Sequence, residues 1–418
     1  MGTRPTGSIT PVLRGARIAN SFAFALQGFF FAVVLTELPQ QKERFGLSDG
    51  LIVGSVVLVS LLAGVGSVAA EWLATRWSSR LTVRLGLGLI AVTGCAIAFA
   101  PNTATVLTAL GAYGVAVGMV DASTTMQAVF IQRGYGMFIL NSFYAAWSAG
   151  SIAGALFVSG FEKLAVGVLA SVLTAAAVVL VLGLALGPYL LRTRDAEAEP
   201  ELAEGSPNEH TAAVDGVPVA LRAYLAIGVA MALVFAIDLA VGNWSALYLT
   251  DDLLADSATA ALGLAAYQGT SLIARLTGDR MVRRFGPRAV VRVAAMTGVV
   301  GLVLVVSAPG PLVAIIGFLV AGIGMPVIAP LCFSAASRLA SGRALDALIA
   351  RLNLFNYAGT LLGGGLVGAV AALFGHRPGF LIPLLFAIVL IGFARVFAVR
   401  PDAEQRAAPP TGRAVLEG

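Results

Sequence analysis

Residues 275–288 read RLTGDRMVRRFGPR and hold five arginines, in a 418-residue chain of which only 12% is charged and 58% is apolar. Apolar runs flank this stretch on both sides, each near the roughly 20 residues that a helix needs to cross a hydrocarbon core about 30 Å thick. The stretch is therefore a polar break between two spans. Similar breaks recur along the chain and delimit twelve helices, near 18–38, 50–72, 81–100, 104–131, 139–160, 165–191, 222–249, 258–280, 289–307, 312–337, 346–373 and 379–398. The windows are continuously apolar rather than alternating, and a helix satisfies its own backbone hydrogen bonds in lipid. An all-α membrane protein of twelve transmembrane helices follows.

Arginine placement sets the expected orientation, because Lys and Arg near span ends are retained on the cytoplasmic side. With both termini cytoplasmic, Arg76, Arg80, Arg84, Arg133, Arg192, Arg194, Arg222, Arg338 and Arg343 join the opening stretch inside, and Lys42, Arg44, Lys163 and Arg377 lie outside. The net charge of +5 thus reports topology, and nucleic acid is no expected partner. Arg4, Arg14 and Arg17 lead straight into a full-length span, which is no cleavable signal peptide. Cys95 and Cys332 fall inside spans without metal-ligand spacing and read as packing residues. His210 and His376 lie in loops. No phosphate-binding GxxxxGK[ST] loop occurs and no nucleophile, base and orienting group assemble, so neither ATP hydrolysis nor any enzyme activity is expected.

Between spans six and seven, RTRDAEAEPELAEGSPNEHTAAVDG (192–216) lacks helical periodicity and reads as a disordered acidic linker. The chain divides into an N-terminal tail (1–17), a six-helix bundle (18–191), the cytoplasmic linker (192–221), a second six-helix bundle (222–398) and a C-terminal tail (399–418). The bundles look like copies. EWLATRWSSR (71–80) aligns with DRMVRRFGPR (279–288) at an offset of 208 residues, matching Glu71 to Asp279, Arg76 to Arg284 and Arg80 to Arg288. At nearly the same offset NSFYAAWSAG (141–150) falls against NLFNYAGTLL (353–362). Paired halves of this kind are how transporters rock around a central site.

Two six-helix halves, with an acidic residue, spaced arginines and a turn after the second helix of each, resemble the major facilitator superfamily. GDRMVRRFGPR fits that family's loop motif, and the first copy is a degraded version with Ala70 and Ser78 in place of Gly278 and Gly286. LPQQKERFGLSDG (38–50), GMVDASTTMQAVF (118–130) and GNWSALYLTDDL (242–253) look like a bacterial branch distantly similar to fucose permease. The resemblance implies two pseudo-symmetric bundles and a bacterial cytoplasmic membrane. It implies gating roles for Asp279, Arg280, Arg284 and Arg288, and more weakly for Glu71, Arg76 and Arg80, holding the cytoplasmic side closed. It also implies that the first, fourth, seventh and tenth helices line a cavity.

Asp121 and Asp238 lie deep within the fourth and seventh spans. A carboxylate at that depth is costly and belongs in a bundle interior or wet cavity, and one exposed alternately to two aqueous faces can load and release a proton. With no intramembrane histidine, these two are the candidate proton carriers, against the simpler reading of a structural pair. Arg351 either holds an anionic group of the substrate or snorkels to the surface. Asn353, Asn356 and Tyr357 share one helix face. Asn20, Gln27, Tyr144 and Gln268 mark further polar stripes, each read as cavity lining or as interhelical bonding. Paired glycines (114 and 118, 150 and 154, 359 and 363, 364 and 368) read as close helix contacts, and Pro326 and Pro330 as a bend in the tenth helix.

The sequence thus points to a proton-coupled secondary transporter of a small organic molecule, working as a monomer in the lipid bilayer with the proton gradient as its only energy source and no cofactor. Its first reading is export of amphipathic compounds. The second is proton-linked uptake of a sugar-like or polar metabolite, favoured because the fifth helix lacks the Gly-Pro pair of many drug:proton antiporters. A non-transporting membrane sensor is the third.

Overall fold

The computed structural model describes residues 10–47, 49–192 and 217–398. Twelve helical elements occur among them, in the predicted order. The first half comprises α1 (Pro11–Phe45), α2 (Asp49–Arg76), α3 (Ser79–Ala98), α4 (Thr103–Tyr135), α5 (Leu140–Lys163) and α6 (Val168–Leu186). The second comprises α7 (Val217–Leu247), α8 (Ser257–Phe285), α9 (Pro287–Val306), α10 (Pro311–Gly324 and Ile328–Ala336), α11 (Gly342–Leu361 and Val367–Phe374) and α12 (His376–Gly379 and Leu381–Phe393). Ten of the twelve are long and apolar enough to span a membrane; α5 and α8 are not, on composition. Those two pack against each other between the halves, where polar side chains are needed.

Local sequence explains the boundaries. Ser78 caps α3 by accepting from the Leu81 amide, and Asn102 caps α4 by accepting from the Thr105 amide. Gly136 ends α4 with a φ of 61°, and Gly286 precedes α9 with a φ of 81°, conformations that suit glycine. Pro287 and Pro311 start their helices, where a missing amide proton costs nothing. Pro326 falls in a 3-10 turn, Met325–Val327, that interrupts α10, whereas Pro330 lies within the regular helix that follows. A π turn, Leu362–Leu366, interrupts the glycine-rich middle of α11.

Two boundaries need correction. Helix α1 starts at Pro11, inside the predicted tail, and α7 starts at Val217, inside the predicted linker. In α1 the first turns carry Arg14 and Arg17, and in α7 Arg222 separates the short apolar start from the long apolar run, so a search for continuous apolar windows begins after them. Residues 193–216 and 399–418, which carry the linker and the C-terminal tail, lie outside the described residues.

The internal repeat is visible in the packing. A Cβ on Gly114 of α4 would strike the Val59 carbonyl of α2, and one on Gly322 of α10 would strike the Tyr267 carbonyl of α8. Residue 322 stands 208 after 114, and 267 stands 208 after 59. Gly150 of α5 rests on Ala25 of α1, and Gly359 of α11 on Ala232 of α7, at the neighbouring offsets of 209 and 207. Equivalent buried residues follow: Val83 and Val291, Ile97 and Val305, Leu110 and Phe318. Each half is therefore built by the same close backbone contacts.

Candidate functional site

The halves meet along α2 with α11 and along α5 with α8. At the arginine-rich end this contact is a set of hydrogen bonds. Asp279, near the end of α8 and only 6% exposed, accepts from the Asn141 amide, the Asn141 side chain and the Ser142 amide, each at 3.0 Å. These amides belong to the first turn of α5, where backbone donors lack helical partners and the helix dipole favours negative charge. The Ile139 and Leu140 amides just before them donate to Gln132 Oε1 at 3.0 and 3.2 Å, and Gln132 donates in turn to Ser334 of α10 at 3.1 Å. Gly278 makes the approach possible, because a Cβ there would stand 3.0 Å from the Asn141 side chain.

The equivalent carboxylate of the first half does the mirrored job. Glu71 accepts from Arg351 of α11, with Nη2 to Oε1 at 2.7 Å. The sequence offered Arg351 as a ligand for an anionic substrate or as a snorkelling cation; in the structure it pairs with Glu71 and its side chain is 62% exposed. Both links therefore run from the end of a second helix to the fifth helix of the opposite half. Arg133 adds bonds to the Ser337 and Ala340 carbonyls, and Arg283 donates to the Phe138 carbonyl at 2.6 Å.

Of the other predicted gating residues, Arg80 donates to the Gly187 carbonyl within its own half, Arg76 lies over Trp72, and Arg284 lies over Phe285. Arg280 and Arg288 make no hydrogen bond or ion pair among the described residues. The sequence reading missed Gln132, Arg283 and Ser334. A glutamine three residues from the end of an apolar helix was the available signal.

Deeper in the bundle lie the two aspartates. Asp121 of α4 accepts from Gln27 of α1 and, across the interface, from the Tyr357 hydroxyl of α11 at 2.6 Å. Asp238 of α7 accepts from the Tyr267 hydroxyl of α8 and faces the Arg275 guanidinium at 3.9 Å. Arg275 also donates to Ser148 of α5, in the other half, at 2.6 Å. Each carboxylate is thus tied to the opposite half, Asp121 directly and Asp238 through Arg275. Neither is sealed from solvent, and the Asp238 side chain is 24% exposed.

The predicted cavity residues separate into two groups. Asn20 donates to the Thr124 carbonyl, and Gln27 and Tyr357 are engaged with Asp121, so these stabilise the layer itself. Asn353 is buried with its Nδ2 unpartnered, Asn356 is buried, and Gln268 is exposed. Tyr144 joins an aromatic run from Phe24 of α1, at 5.4 Å between ring centres, to Phe333 of α10 at 6.4 Å. That run crosses from one half to the other.

Residues 224–417 match the sequence pattern of the Major Facilitator Superfamily. Solved structures of that superfamily share the fold over more than nine-tenths of this chain. This is a major facilitator fold. The chain is 26% identical over 361 residues to an uncharacterised transporter of the major facilitator type from Yersinia pestis, covering 85% of this chain and 89% of that one. Among solved major facilitator structures it resembles the fucose:proton symporter of E. coli, with 17% identity, a TM-score of 0.74 and coverage of 94% of this chain and all of that one. The same symporter in its outward conformation gives 0.71. The human organic anion transporter MFSD10 gives 0.72 at 16% identity, covering 92% of this chain and all of that one. The similarity to fucose permease read from the sequence is upheld at the level of the major facilitator fold.

Proposed function

We propose that the chain is a secondary active transporter that moves a small organic molecule by alternating access and couples that movement to protons through Asp121 and Asp238. The observation that carries this reading is that each carboxylate is linked to the opposite half, Asp121 by the Tyr357 hydroxyl and Asp238 through Arg275. Protonating Asp238 removes its attraction for Arg275, and Arg275 is also held by Ser148 across the interface. Protonating Asp121 removes the charge that the Tyr357 hydroxyl donates to. Proton loading and the relation between the halves are thereby one equilibrium, and coupling of this kind requires that link.

In this reading the arginine-rich end is cytoplasmic and closed, so the described state faces outward. Every cross-half bond named above lies at that end or at the depth of the aspartates. Likeness to a fucose:proton symporter supports the proton as the coupling ion. The aromatic run through Phe24, Tyr144 and Phe333, with few free polar atoms such as Asn353 Nδ2, suits an amphipathic cargo and favours export as the physiological direction. Uptake of a polar metabolite is the second reading, supported by the same symporter likeness.

Reconstituted vesicles with an imposed pH gradient and a panel of labelled compounds test the proposal. Cargo moving against the proton flow supports export, and cargo moving with it supports uptake. If no class of compound moves, or movement ignores the gradient, the reading fails.

A further inference from the structure

Retention of basic residues on one side of the membrane accounts for the arginines at the start of α1, but not for what they stand beside. Arg14, Arg17, Ile18, Ser21 and Phe22 are spaced i, i+3, i+4, i+7 and i+8, so they share one face of that helix. Together with Tyr135, the last residue of α4, they line a groove of about 570 Å³ at the arginine-rich end of the first bundle. Gly134 lets the end of α4 lie against α1, since a Cβ there would stand 2.9 Å from the Leu13 side chain. The Arg17 guanidinium lies over the Tyr135 ring, 5.2 Å from its centre, which holds its plane and leaves its N–H edges free to donate. The Ser21 hydroxyl is already used, donating to the Arg17 carbonyl at 2.9 Å. Among the described residues neither guanidinium has a hydrogen bond or a carboxylate partner.

The rest of the groove is apolar. Ile18 and Phe22 are 57% and 50% exposed. At a rise of 1.5 Å per residue, Phe22 stands about 12 Å along the helix from Arg14, so this face runs from the level of lipid headgroups into the hydrocarbon. The second bundle shows which part of the arrangement is ordinary. At the offset of 207 that matches Ala25 with Ala232, Ile18 and Phe22 correspond to Leu225 and Val229, which are exposed as well. Arg14 and Arg17 correspond to Leu221 and Tyr224. The lipid-facing wall is common to both bundles, and the paired cations on it belong to the first alone.

Two unpaired guanidinium groups above an exposed apolar wall complement an anion that carries hydrocarbon, and guanidinium suits phosphate oxygens in particular. Two segments of the chain itself fit less well. Residues 193–216 supply carboxylates, but Leu202 and Val214 are their only large apolar side chains, too few to cover Ile18 and Phe22. Residues 1–9 carry Arg4 and no carboxylate. We propose that this groove binds an anionic phospholipid of the surrounding bilayer, with its phosphate on Arg14 and Arg17 and an acyl chain along Ile18 and Phe22. The site is separate from the aspartate layer and does not depend on which cargo or coupling ion the protein uses.

The test is lipid binding by the purified full chain in neutral detergent, read by native mass spectrometry during titration with phosphatidylglycerol or with phosphatidylcholine of the same acyl chains, beside the thermal unfolding midpoint. The wild type is expected to bind phosphatidylglycerol about 30-fold more tightly, roughly fivefold for each arginine, and to melt higher in its presence. Arg14→Leu with Arg17→Tyr installs the residues of the second bundle and is expected to fold and to lose the preference. Arg14→Leu alone leaves Arg17 on Tyr135 and is expected to lose about fivefold, which keeps the test decisive if the double variant folds poorly. Arg222→Gln with Arg292→Gln removes two charges from the same end of the second bundle and is expected to keep the preference. Equal binding of the two lipids by the wild type overturns the proposal, and so does an equal loss in both double variants, which is the mark of diffuse surface charge. A melting response to glycerol phosphate as large as that to the lipid assigns the groove to a soluble anion and overturns it. If the wild type shows no preference until the carboxylates of residues 193–216 are replaced by amides, that segment is the occupant and the proposal fails.

Discussion

At the scale of single residues, the decisive groups are two aspartates whose partners lie far away in sequence. Replacing Asp238 by Asn removes the charge opposite Arg275 while keeping an acceptor for Tyr267. In vesicles, transport by this variant is expected to lose its response to an imposed pH gradient while downhill exchange of cargo persists; a normal gradient response would show that Asp238 does not carry the proton. Tyr357→Phe deletes the hydroxyl that joins Asp121 to α11. A neutral hydrogen bond contributes about 1 kcal/mol and one to a charged group about 1.5–3 kcal/mol, so this variant is expected to shift the pH dependence of transport with little loss of folded protein, measured as a pH profile beside a melting curve. Both aspartates were legible in the sequence because a carboxylate interrupts an apolar window. Their partners were not, since Tyr357 stands 236 residues from Asp121 and nothing local records that approach. Arg351 was open for the same reason, and only the crossing of α2 with α11 sets it against Glu71.

At the scale of elements, the two mirrored links differ in strength because they differ in burial. Asp279 serves the unpaired amides of α5 from a buried position, whereas the Glu71–Arg351 pair is largely open to water on the arginine side. Exposed pairs contribute about 0–1 kcal/mol, and charged hydrogen bonds about 1.5–3 kcal/mol. Asp279→Ala is therefore expected to shift the balance between the two facing states by roughly 30-fold toward opening at the arginine-rich end, and Arg351→Ala by roughly fivefold or less. Labelling of a cysteine placed at Ser142, by a reagent confined to that side, reads the difference; equal effects would contradict the ranking. Packing makes an independent prediction. Gly150→Leu forces a side chain into the Ala25 backbone and is expected to destabilise the first bundle by about 1–3 kcal/mol or more, seen as a lower melting point, whereas the same change at Gly88, which faces open space, is expected to be silent. Helix number and order and the close contacts of the 114 and 118, 150 and 154, and 359 and 363 glycine pairs were legible, because hydropathy and small-residue spacing are local signals, whereas Gly364 makes only ordinary side-chain contacts. The capping of α5 by Asp279 was not, because it depends on two helices from different halves ending at one level.

At the scale of the whole molecule, the repeat builds two bundles with similar cores and a polar seam between them. The offset was readable from the arginine motifs alone, and the packed glycines and buried faces repeat it helix by helix. What the sequence could not convey is which end of the seam is closed, since that depends on how two bundles lean rather than on any one of them. In the proposed cycle the seam closes at one end at a time, under control of the aspartates. Spin labels in a variant with Cys95 and Cys332 replaced test it most directly: one pair at Trp77 and Phe285, exposed equivalents at the arginine-rich end, and one at Leu164 and Leu254, exposed in the turns at the opposite end. Electron resonance distances are predicted to change reciprocally with pH, one pair lengthening as the other shortens, and to become insensitive to pH when both Asp121 and Asp238 are Asn. Two distances that stay fixed across pH, or that move in the same direction, would contradict the account.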